Sequence, residues 1–305
     1  MRLVFLGAGA FGVPSLEHLA NDHEIALVVT QPDRPAGRGK VLTPTPVAAC
    51  AEARGIPVIR PPDVNAPDVV ERIRGVGADA WVVIAFGQKL SRELVDGVFA
   101  INLHGSILPA YRGAAPIQRA VMEGCAETGV SVISIADRMD AGLVYATRAR
   151  PIGGMETADD VHDALAQLGP EVLTAVLAEH AAGRAGGLVQ DESKATRARK
   201  LSKTDGTIDL TSLDARAARA RINGLNSWPG CTVAIAGIEL KLLRVREAAG
   251  GGGEPGVVRD DGLVATASGS IEILEVQPVG GRGMPWSDFM RGRPQVVGGR
   301  LLPRP

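Results

Sequence analysis

The chain has 305 residues and a formal net charge of −1; 45% of its residues are hydrophobic, 22% charged and 3% aromatic. This length suits two globular domains, and the composition is ordinary for a soluble globular protein. No apolar run reaches the roughly 18 to 20 residues of a membrane helix, the N-terminus lacks the pattern of a signal peptide, and Cys50, Cys125 and Cys231 are too far apart for a CxxC pair. We therefore expect a cytoplasmic protein with reduced thiols and no membrane partner.

The first half of the chain alternates apolar runs with helical segments. The apolar runs are "RLVFLG", "EIALVVTQ", "IPVI", "ADAWVVIAFG" and "GVFAINLHG", and the helical segments are "VPSLEHLAND", "VAACAEARG" and "PDVVERIRGV". Continuous apolar runs, as opposed to alternating ones, indicate parallel strands covered by helices on both faces. The pattern predicts an α/β domain with a doubly wound, mostly parallel sheet, in which ligands bind at the carboxyl ends of the strands.

Later segments predict two further strands, a helix and a second domain. "VSVISIAD" and "GLVYATRARPI" are typical of adjacent strands, and Thr157 is a suitable N-cap for the helix that follows. Near residue 190 the sequence becomes polar, and short β-like runs between Gly- and Pro-rich turns come after it, which favours a small barrel. We predict a domain over 1–189, a linker over 190–205 and a smaller β-barrel domain over 206–305.

"GAGAFG" places Gly7, Gly9 and Gly12 in the G-x-G-x-x-G pattern after the first strand. This is the fingerprint of dinucleotide binding, but the second strand lacks an acidic residue at its tip to hold a ribose hydroxyl. Glycines at these positions also allow a tight turn from strand to helix. The sequence therefore disfavours nicotinamide binding without deciding what the glycines do.

Basic residues are concentrated in one loop and in the last third of the chain. "QPDRPAGRGK" presents Arg34, Arg38 and Lys40 among glycines and prolines, a composition that suits either a phosphate-binding loop or a solvated connection. From Asp191 onward, 17 Lys and Arg face 13 Asp and Glu, whereas the preceding part has 16 against 21. This asymmetry hints at a polyanionic partner, although a solvated helix face gives the same balance.

Asn102 and His104 are two residues apart in the strand-like run "INLHG", so they face the same side of the strand. At the carboxyl edge of an α/β sheet both would point into the ligand crevice, and Asp140 in "DRMDAG" sits at a second β-turn that could reach the same place. An amide donor, an imidazole and a carboxylate suit acyl transfer to an amine: Asn stabilises an oxyanion, His moves a proton and Asp orients the His. The alternative is a structural histidine, the commoner case for a lone His. Ser106 lacks the G-x-S-x-G setting of a nucleophile.

The segment "INLHGSILPAYRGAAPIQRA", followed by "CAETGV" and "DRMDAG", resembles the methionyl-tRNA formyltransferase family. The wider group transfers formyl units from 10-formyltetrahydrofolate and shares the N-x-H, the S-x-L-P and an Asp thirty-six residues beyond the His. Other matching segments are "TQPDRPAGRGK", "VVIAFGQKL", "KLSKTDGTIDL" and "RINGLNSWPG". The resemblance therefore spans nearly the whole chain.

This resemblance implies a role for each matching position. Asn102, His104 and Asp140 are the implied catalytic residues in formyl transfer to the α-amino group of initiator methionyl-tRNA, with 10-formyltetrahydrofolate as co-substrate and no metal. The implied folate-binding residues are Ser106, Ile107, Leu108, Pro109, Phe86, Gly87 and Gln88. Arg34, Arg38 and Lys40 lie in the loop that reaches the tRNA acceptor end in relatives. The C-terminal domain is implied to be an oligonucleotide-binding type of barrel, in a protein that we expect to be a monomer.

The sequence departs from the family pattern in two places near the implied site. Ile107 replaces the commoner Leu of "SLLP", and Tyr111 replaces a frequent Trp. Three rival functions remain: a formyltransferase for a nucleotide-linked amino sugar, a non-catalytic RNA-binding protein and a nicotinamide oxidoreductase. "RGAAPIQRA" and the basic loop favour tRNA over the sugar, and the intact Asn102 and His104 disfavour the binding protein.

Overall fold

The computed structural model describes residues 1–36, 39 and 41–304. Its strands are β1 (Arg2–Gly7), β2 (Glu24–Val29), β3 (Arg34–Ala36), β4 (Val41–Thr43), β5 (Val58–Ile59), β6 (Ala80–Ile84), β7 (Ala100–His104), β8 (Arg112–Gly113), β9 (Glu127–Ser134), β10 (Val144–Pro151), β11 (Arg197–Ala198), β12 (Cys231–Ile235), β13 (Ile238–Ala248), β14 (Val264–Ala265), β15 (Ser270–Pro278), β16 (Met284–Pro285) and β17 (Leu302–Pro303). Its α-helices are α1 (Val13–Asp22), α2 (Pro46–Ala53), α3 (Pro67–Arg74), α4 (Arg92–Val95), α5 (Pro116–Met122), α6 (Ala158–Ala181), α7 (Ala215–Gly224) and α8 (Trp286–Arg291). Among the described residues, none of the helices combines the length and apolar character needed to span a membrane.

The main sheet has seven strands in the order β10-β9-β7-β6-β1-β2-β5. Strand β1 pairs in parallel with β2 and β6, β2 with β5, and β6 with β7, whereas β9 runs antiparallel to β7. The predicted α/β class with a mostly parallel sheet is confirmed. The strand order reverses direction at β1, with β2 and β5 on one side and β6 and β7 on the other. Sheets of this kind bind ligands at the carboxyl ends of the strands beside such a reversal, which is where β6 and β7 end.

Five of the seven strands of this sheet, β1, β2, β5, β6 and β7, lie within the continuous apolar runs of the sequence. The side chains of Val4, Leu6, Val29, Trp81 and Val83 pack in one buried cluster. All five residues of β6 are buried, as expected for a strand covered on both faces. This core fixes the position of β7 and of the loops that leave its carboxyl end.

The first glycine of "GAGAFG" packs against a neighbouring strand. A Cβ atom added at Gly7 would lie 2.9 Å from the carbonyl oxygen of Ile84, on β6. At Gly12 it would lie 3.4 Å from the Cβ of Ile84 and the ring of Phe5. Backbone packing therefore accounts for Gly7 without a bound dinucleotide.

Helix α6 begins with the cap that the sequence predicts. The Thr157 hydroxyl accepts a hydrogen bond from the Asp160 amide at 3.2 Å, and the Asp160 carboxylate accepts from the Thr157 amide at 2.8 Å. This reciprocal arrangement satisfies two amide groups that the first helical turn leaves without partners. The predicted N-cap is confirmed.

The C-terminal part contains an antiparallel sheet in the order β14-β15-β13-β12-β17, with β16 added to β15. It forms a half-barrel, and its inner side chains, including Leu242, Val245 and Ile273, pack with Trp286 and Phe289 of α8. The prediction of a smaller β domain is confirmed. The short strands arise from alternating apolar and polar residues, which place one side of the sheet in the core.

The described chain groups into two compact units. Unit 1 comprises Met1–Arg112, Gly129–Ala149 and His162–Thr196, and unit 2 comprises Gly113–Thr128, Arg150–Val161 and Arg197–Pro305. Segment 190–205 contains short 3-10 helices and β11. The domain limits 1–189, 190–205 and 206–305 stay a prediction.

Candidate active site

Asn102 and His104 occupy the carboxyl end of β7 in unit 1. Asn102 stands opposite Val83 of β6 and Ile133 of β9, and His104 stands opposite Ser131 of β9. The two side chains point to the same face because they are two residues apart. Asn102 is half-buried, whereas His104 is only 6% exposed. A buried imidazole beside a partly accessible amide is an arrangement that can hold a small reacting group.

The two ring nitrogens of His104 face different groups. Nε2 lies 2.9 Å from the carbonyl oxygen of Tyr111, and Nδ1 lies 3.7 Å from Oδ2 of Asp140. A carbonyl oxygen only accepts, so Nε2 carries a proton and donates it to Tyr111. In the neutral ring Nδ1 is then the basic nitrogen. The neighbouring carboxylate stabilises the positive charge that forms when Nδ1 takes up a proton.

The backbone of Asp140 is held by Gln190. The Gln190 amide donates to the carbonyl oxygens of Asp140 and Gly142, both at 2.8 Å, and its Oε1 accepts from Arg112 Nε and Nη2 at 3.0 and 2.8 Å. Gln190 and Arg112 are each 7% exposed. The Arg112 guanidinium also contacts both carboxylate oxygens of Glu192, at 3.2 and 3.0 Å. These residues were missed in the sequence, although Arg112 belongs to the family segment "YRGAAP".

Three non-glycine residues around the site have left-handed backbones: Ala85 (φ 46°), Tyr111 (φ 62°) and Asp140 (φ 53°). Asp tolerates this region, but for Ala and Tyr it carries a strain of about 1–3 kcal/mol. Tyr111 supplies the carbonyl group to His104, and Asp140 supplies the carboxylate. The strained backbone of Tyr111 and the left-handed backbone of Asp140 thus lie at the two residues that flank the imidazole.

The predicted folate loop, residues 106–109, is held by hydrogen bonds from Ser106 itself and from Ser131 of β9. Ser106 is fully buried, and its hydroxyl donates to the carbonyl oxygen of Ala110 at 2.6 Å. Ser131 donates to the carbonyl oxygen of Ser106 at 2.8 Å and accepts from the amide of Leu108 at 3.1 Å. The Ser106 hydroxyl therefore shapes the loop, while Ile107 and Pro109 are its half-buried apolar residues.

The second predicted folate segment follows β6. Phe86 is buried, Gly87 has a left-handed backbone (φ 82°), and the carbonyl oxygen of Phe86 accepts from Gln31 at 3.0 Å. The Gln88 side chain accepts from the amide of Val64 at 2.8 Å and donates to the carbonyl oxygen of Pro61 at 3.2 Å. Because the Gln88 amide fastens a neighbouring loop, this segment has mainly backbone groups to offer a ligand.

The predicted basic loop is partly a β-hairpin of β3 and β4. Arg34 lies on β3 and is exposed. Val41 and Leu42 on β4 are also exposed, at 68% and 65%. Arg38 and Lys40 lie outside the described residues.

The Arg112 guanidinium forms an ion pair with Glu192 next to the predicted site. Hydrogen bonds from Arg112 and then from Arg138 lower the pKa of the exposed Glu192 carboxyl. Within residues 1–36, 39 and 41–304, no group of three or more His, Cys, Asp or Glu is placed to hold a metal ion. The groups that the sequence predicts to act here are the Asn102 amide, the His104 imidazole and the Asp140 carboxylate.

Comparisons with known proteins find relatives over nearly the whole chain. Residues 1–177 match the model of the formyl transferase family, and residues 200–294 match that of the formyl transferase C-terminal domain. The chain is 42% identical over 306 residues to a methionyl-tRNA formyltransferase of Moorella thermoacetica, covering 98% of both chains. It is 41% identical to a methionyl-tRNA formyltransferase of Heliobacterium modesticaldum, covering 96% of this chain and 97% of the relative.

A solved structure shares the fold at low sequence identity. The N-formyltransferase of Helicobacter canadensis, in complex with folinic acid and dTDP-3-aminofucose, superposes with a TM-score of 0.68 at 15% identity. The match covers 89% of this chain and 98% of that one. At this identity the likeness concerns the fold alone.

Proposed function

The chain belongs to the methionyl-tRNA formyltransferase family, and we propose from this premise that it formylates the α-amino group of methionine on initiator methionyl-tRNA. The resemblance seen in the sequence motifs is thereby confirmed at the level of the family. The observation that carries the activity is the grouping of Asn102, His104 and Asp140 at the carboxyl end of β7. That group matches the chemistry of acyl transfer to an amine.

The formyl donor is a folate derivative, and we assign it as 10-formyltetrahydrofolate. A donor whose formyl group sits on a weakly basic nitrogen allows the C–N bond to break once that nitrogen gains a proton. Ile107 and Pro109 offer half-buried apolar side chains in the loop after His104, Leu108 is buried within that loop, and the segment Phe86–Gln88 offers backbone groups. Ser106 and Gln88 contribute to folate binding by shaping these two loops.

The first chemical step joins the amine to the formyl carbon. The α-amino nitrogen of methionine attacks, the carbonyl π pair moves to oxygen, and a tetrahedral oxyanion forms. The Asn102 side-chain amide donates a hydrogen bond to this oxyanion, and His104, neutral at the moment of attack, becomes the positive group beside it once Nδ1 takes a proton from the newly formed ammonium. Because Nε2 is engaged with Tyr111, Nδ1 is the atom that acts in the proton transfers.

The second step breaks the bond between the formyl carbon and N10 of the folate. The ammonium formed by the attack must lose a proton, and N10 must gain one as it leaves. Nδ1 of His104 takes the first proton and returns one to N10, so the enzyme ends in its starting state. Asp140 accompanies the imidazolium as counter-charge, at 3.7 Å in the resting site.

Recognition of the tRNA is assigned to the basic loop and the C-terminal domain. Arg34, Arg38 and Lys40 are proposed to contact the phosphates near the acceptor end. The last third of the chain carries the excess of basic residues expected for a polyanionic ligand. We propose that the enzyme acts as a monomer in the cytoplasm without a metal; the monomeric state is checked by sedimentation of the full chain.

The test offers two acceptors in parallel, because amino-sugar formyltransferases share the fold. Purified protein and 10-formyltetrahydrofolate are mixed either with initiator methionyl-tRNA or with a nucleotide-linked amino sugar, and formylated products are separated. Formyl-methionyl-tRNA from the wild type, lost in His104→Ala, supports the proposal. Formylated sugar alone would reassign the acceptor, and no product from either would refute the transferase activity.

A further inference from the structure

We propose that Gln190 is a positioning residue for the reaction: it sets the Asp140 carboxylate beside His104 and links it to the loop that carries Tyr111. The proposal rests on the proposed function, since it assigns Gln190 a role through Asp140. Gln190 lies within the segment predicted as a linker, so nothing in its sequence setting suggests a role near the reaction.

Every polar group of the Gln190 side chain is hydrogen-bonded to the Asp140 turn or to Arg112. Both amide hydrogens go to backbone carbonyls of the Asp140 turn, those of Asp140 and Gly142. Oε1 accepts two hydrogen bonds from the Arg112 guanidinium. The amide orientation is fixed by its partners, because a flipped amide would set its NH₂ against guanidinium donors and its oxygen against two carbonyls.

Gln190 is hydrogen-bonded to a turn in which Asp140 has a left-handed backbone, a conformation that residues other than glycine adopt less readily. Asp140 has φ 53°, in the left-handed region, and its carboxylate is only 13% exposed. Such a conformation persists where surrounding contacts over-determine it. The pair of hydrogen bonds from Gln190 supplies that constraint at the residue whose carboxylate faces Nδ1 of His104.

The same short segment also holds the other side of the imidazole. The hydroxyl of Thr196 accepts from the amide of Tyr111 at 2.8 Å, and its carbonyl oxygen accepts from the amide of Arg112 at 2.9 Å. Tyr111 is the residue whose carbonyl oxygen receives Nε2–H of His104. Residues 190–196 therefore fasten both partners of the His104 ring, and Gln190 is the member that reaches Asp140.

The test substitutes Gln190→Glu, which keeps an acceptor for Arg112 and replaces the two amide donors by an oxygen facing two carbonyls. We expect kcat for formyl transfer to fall about tenfold to a hundredfold, as misplacing a catalytic group does. The KM values for 10-formyltetrahydrofolate and methionyl-tRNA should stay within about twofold. Gln167→Glu, an exposed position on α6, is the matched control and should retain the wild-type rate.

A double-mutant cycle separates positioning from a general structural effect. If Gln190 acts through Asp140, Gln190→Glu should cost less than about twofold in single-turnover rate when added to Asp140→Asn. An equal loss in both backgrounds would overturn the proposal, because the effect would then bypass Asp140. Wild-type kcat in Gln190→Glu would overturn it too.

Thermal unfolding of each variant guards against a folding defect. If Gln190→Glu does not fold, Gln190→Asn keeps both donors on a side chain one methylene shorter and is measured in the same cycle, with the same outcomes deciding. A wild type without formyl transfer would defeat the proposed function itself. An active wild type that loses activity in His104→Ala but not in Gln190→Glu would defeat only this inference.

Discussion

Nε2 of His104 donates its proton to the carbonyl oxygen of Tyr111, 2.9 Å away, on the loop that follows β7. A backbone acceptor holds the ring in one orientation and one tautomer, with Nδ1 directed to Asp140. Mutating the Tyr111 side chain leaves this hydrogen bond in place, because the backbone provides it. The tautomer of the candidate catalytic base is therefore a property of the loop conformation.

Removing either polar group of β7 should abolish most of the activity. We expect His104→Ala and Asn102→Ala each to lower kcat by at least about a hundredfold, the loss seen when one oxyanion donor is removed. Initial rates of methionyl-tRNA formylation measure this. Asn21→Ala, at an exposed position of α1, serves as control and should keep its rate. Rates near the wild-type value in either site variant would exclude the proposed roles.

The exposed Arg34 should contribute to tRNA binding only. We expect Arg34→Ala to raise the KM for methionyl-tRNA and to reduce the slope of log affinity against log salt by about one, since one phosphate contact is lost. The KM for the folate should not change. Arg72→Ala, at an exposed position of α3 in the same unit, is the control. A shift in folate KM with unchanged tRNA affinity would assign this loop to the other substrate.

Unit 2 should lose stability in acid through Asp160. Burial alone would raise the pKa of this carboxyl, but hydrogen bonds from Arg244 at 2.6 Å and from Thr157 outweigh burial and lower it to about 2. A depressed carboxyl pKa stabilises the fold above the ordinary value near 3.8, and this stabilisation disappears as the pH falls to about 2.

Asp160→Asn should therefore lower the free energy of unfolding at neutral pH by about 1 kcal/mol, a figure reduced for the partial exposure of the pair. The difference from the wild type should shrink as the pH falls from about 4 toward 2. Urea unfolding at several pH values measures it. Asp159→Asn changes the exposed neighbouring carboxylate and should have little effect. A loss independent of pH would point to the helix cap instead of the ion pair.

Gly142 should not tolerate a side chain. A Cβ atom there would collide with the carbonyl group of Ser134 on β9, and the Gly142 carbonyl oxygen receives a hydrogen bond from Gln190. We expect Gly142→Ala to cost about 1–3 kcal/mol in unfolding free energy, as overpacking does, and to reduce kcat as well. Gly186→Ala, where a Cβ meets nothing closer than 3.9 Å, is the control. Equal stability of the two variants would contradict the packing argument.

Much of the fold is encoded in local patterns. The apolar run "RLVFLG" coincides with β1, the segment "VPSLEHLAND" coincides with α1, and Thr157 caps α6. These features depend on neighbouring residues, so periodicity and capping chemistry suffice to predict them. The hairpin of β3 and β4 was not predicted, because prolines and glycines there indicate a loop.

The sequence by itself determined that Asn102 and His104 share one face of a strand, because they are two residues apart at the end of an apolar run. Only the tertiary structure decided what holds them. His104 is bonded to a backbone carbonyl, and Asp140 is held by Gln190, fifty residues away. A backbone partner carries no side-chain identity, and a contact between distant residues exists only after the sheet has folded. The strands can therefore be predicted from the sequence. The hydrogen bonds that orient His104 and Asp140 depend on the conformation of the loops, which forms only with the tertiary structure.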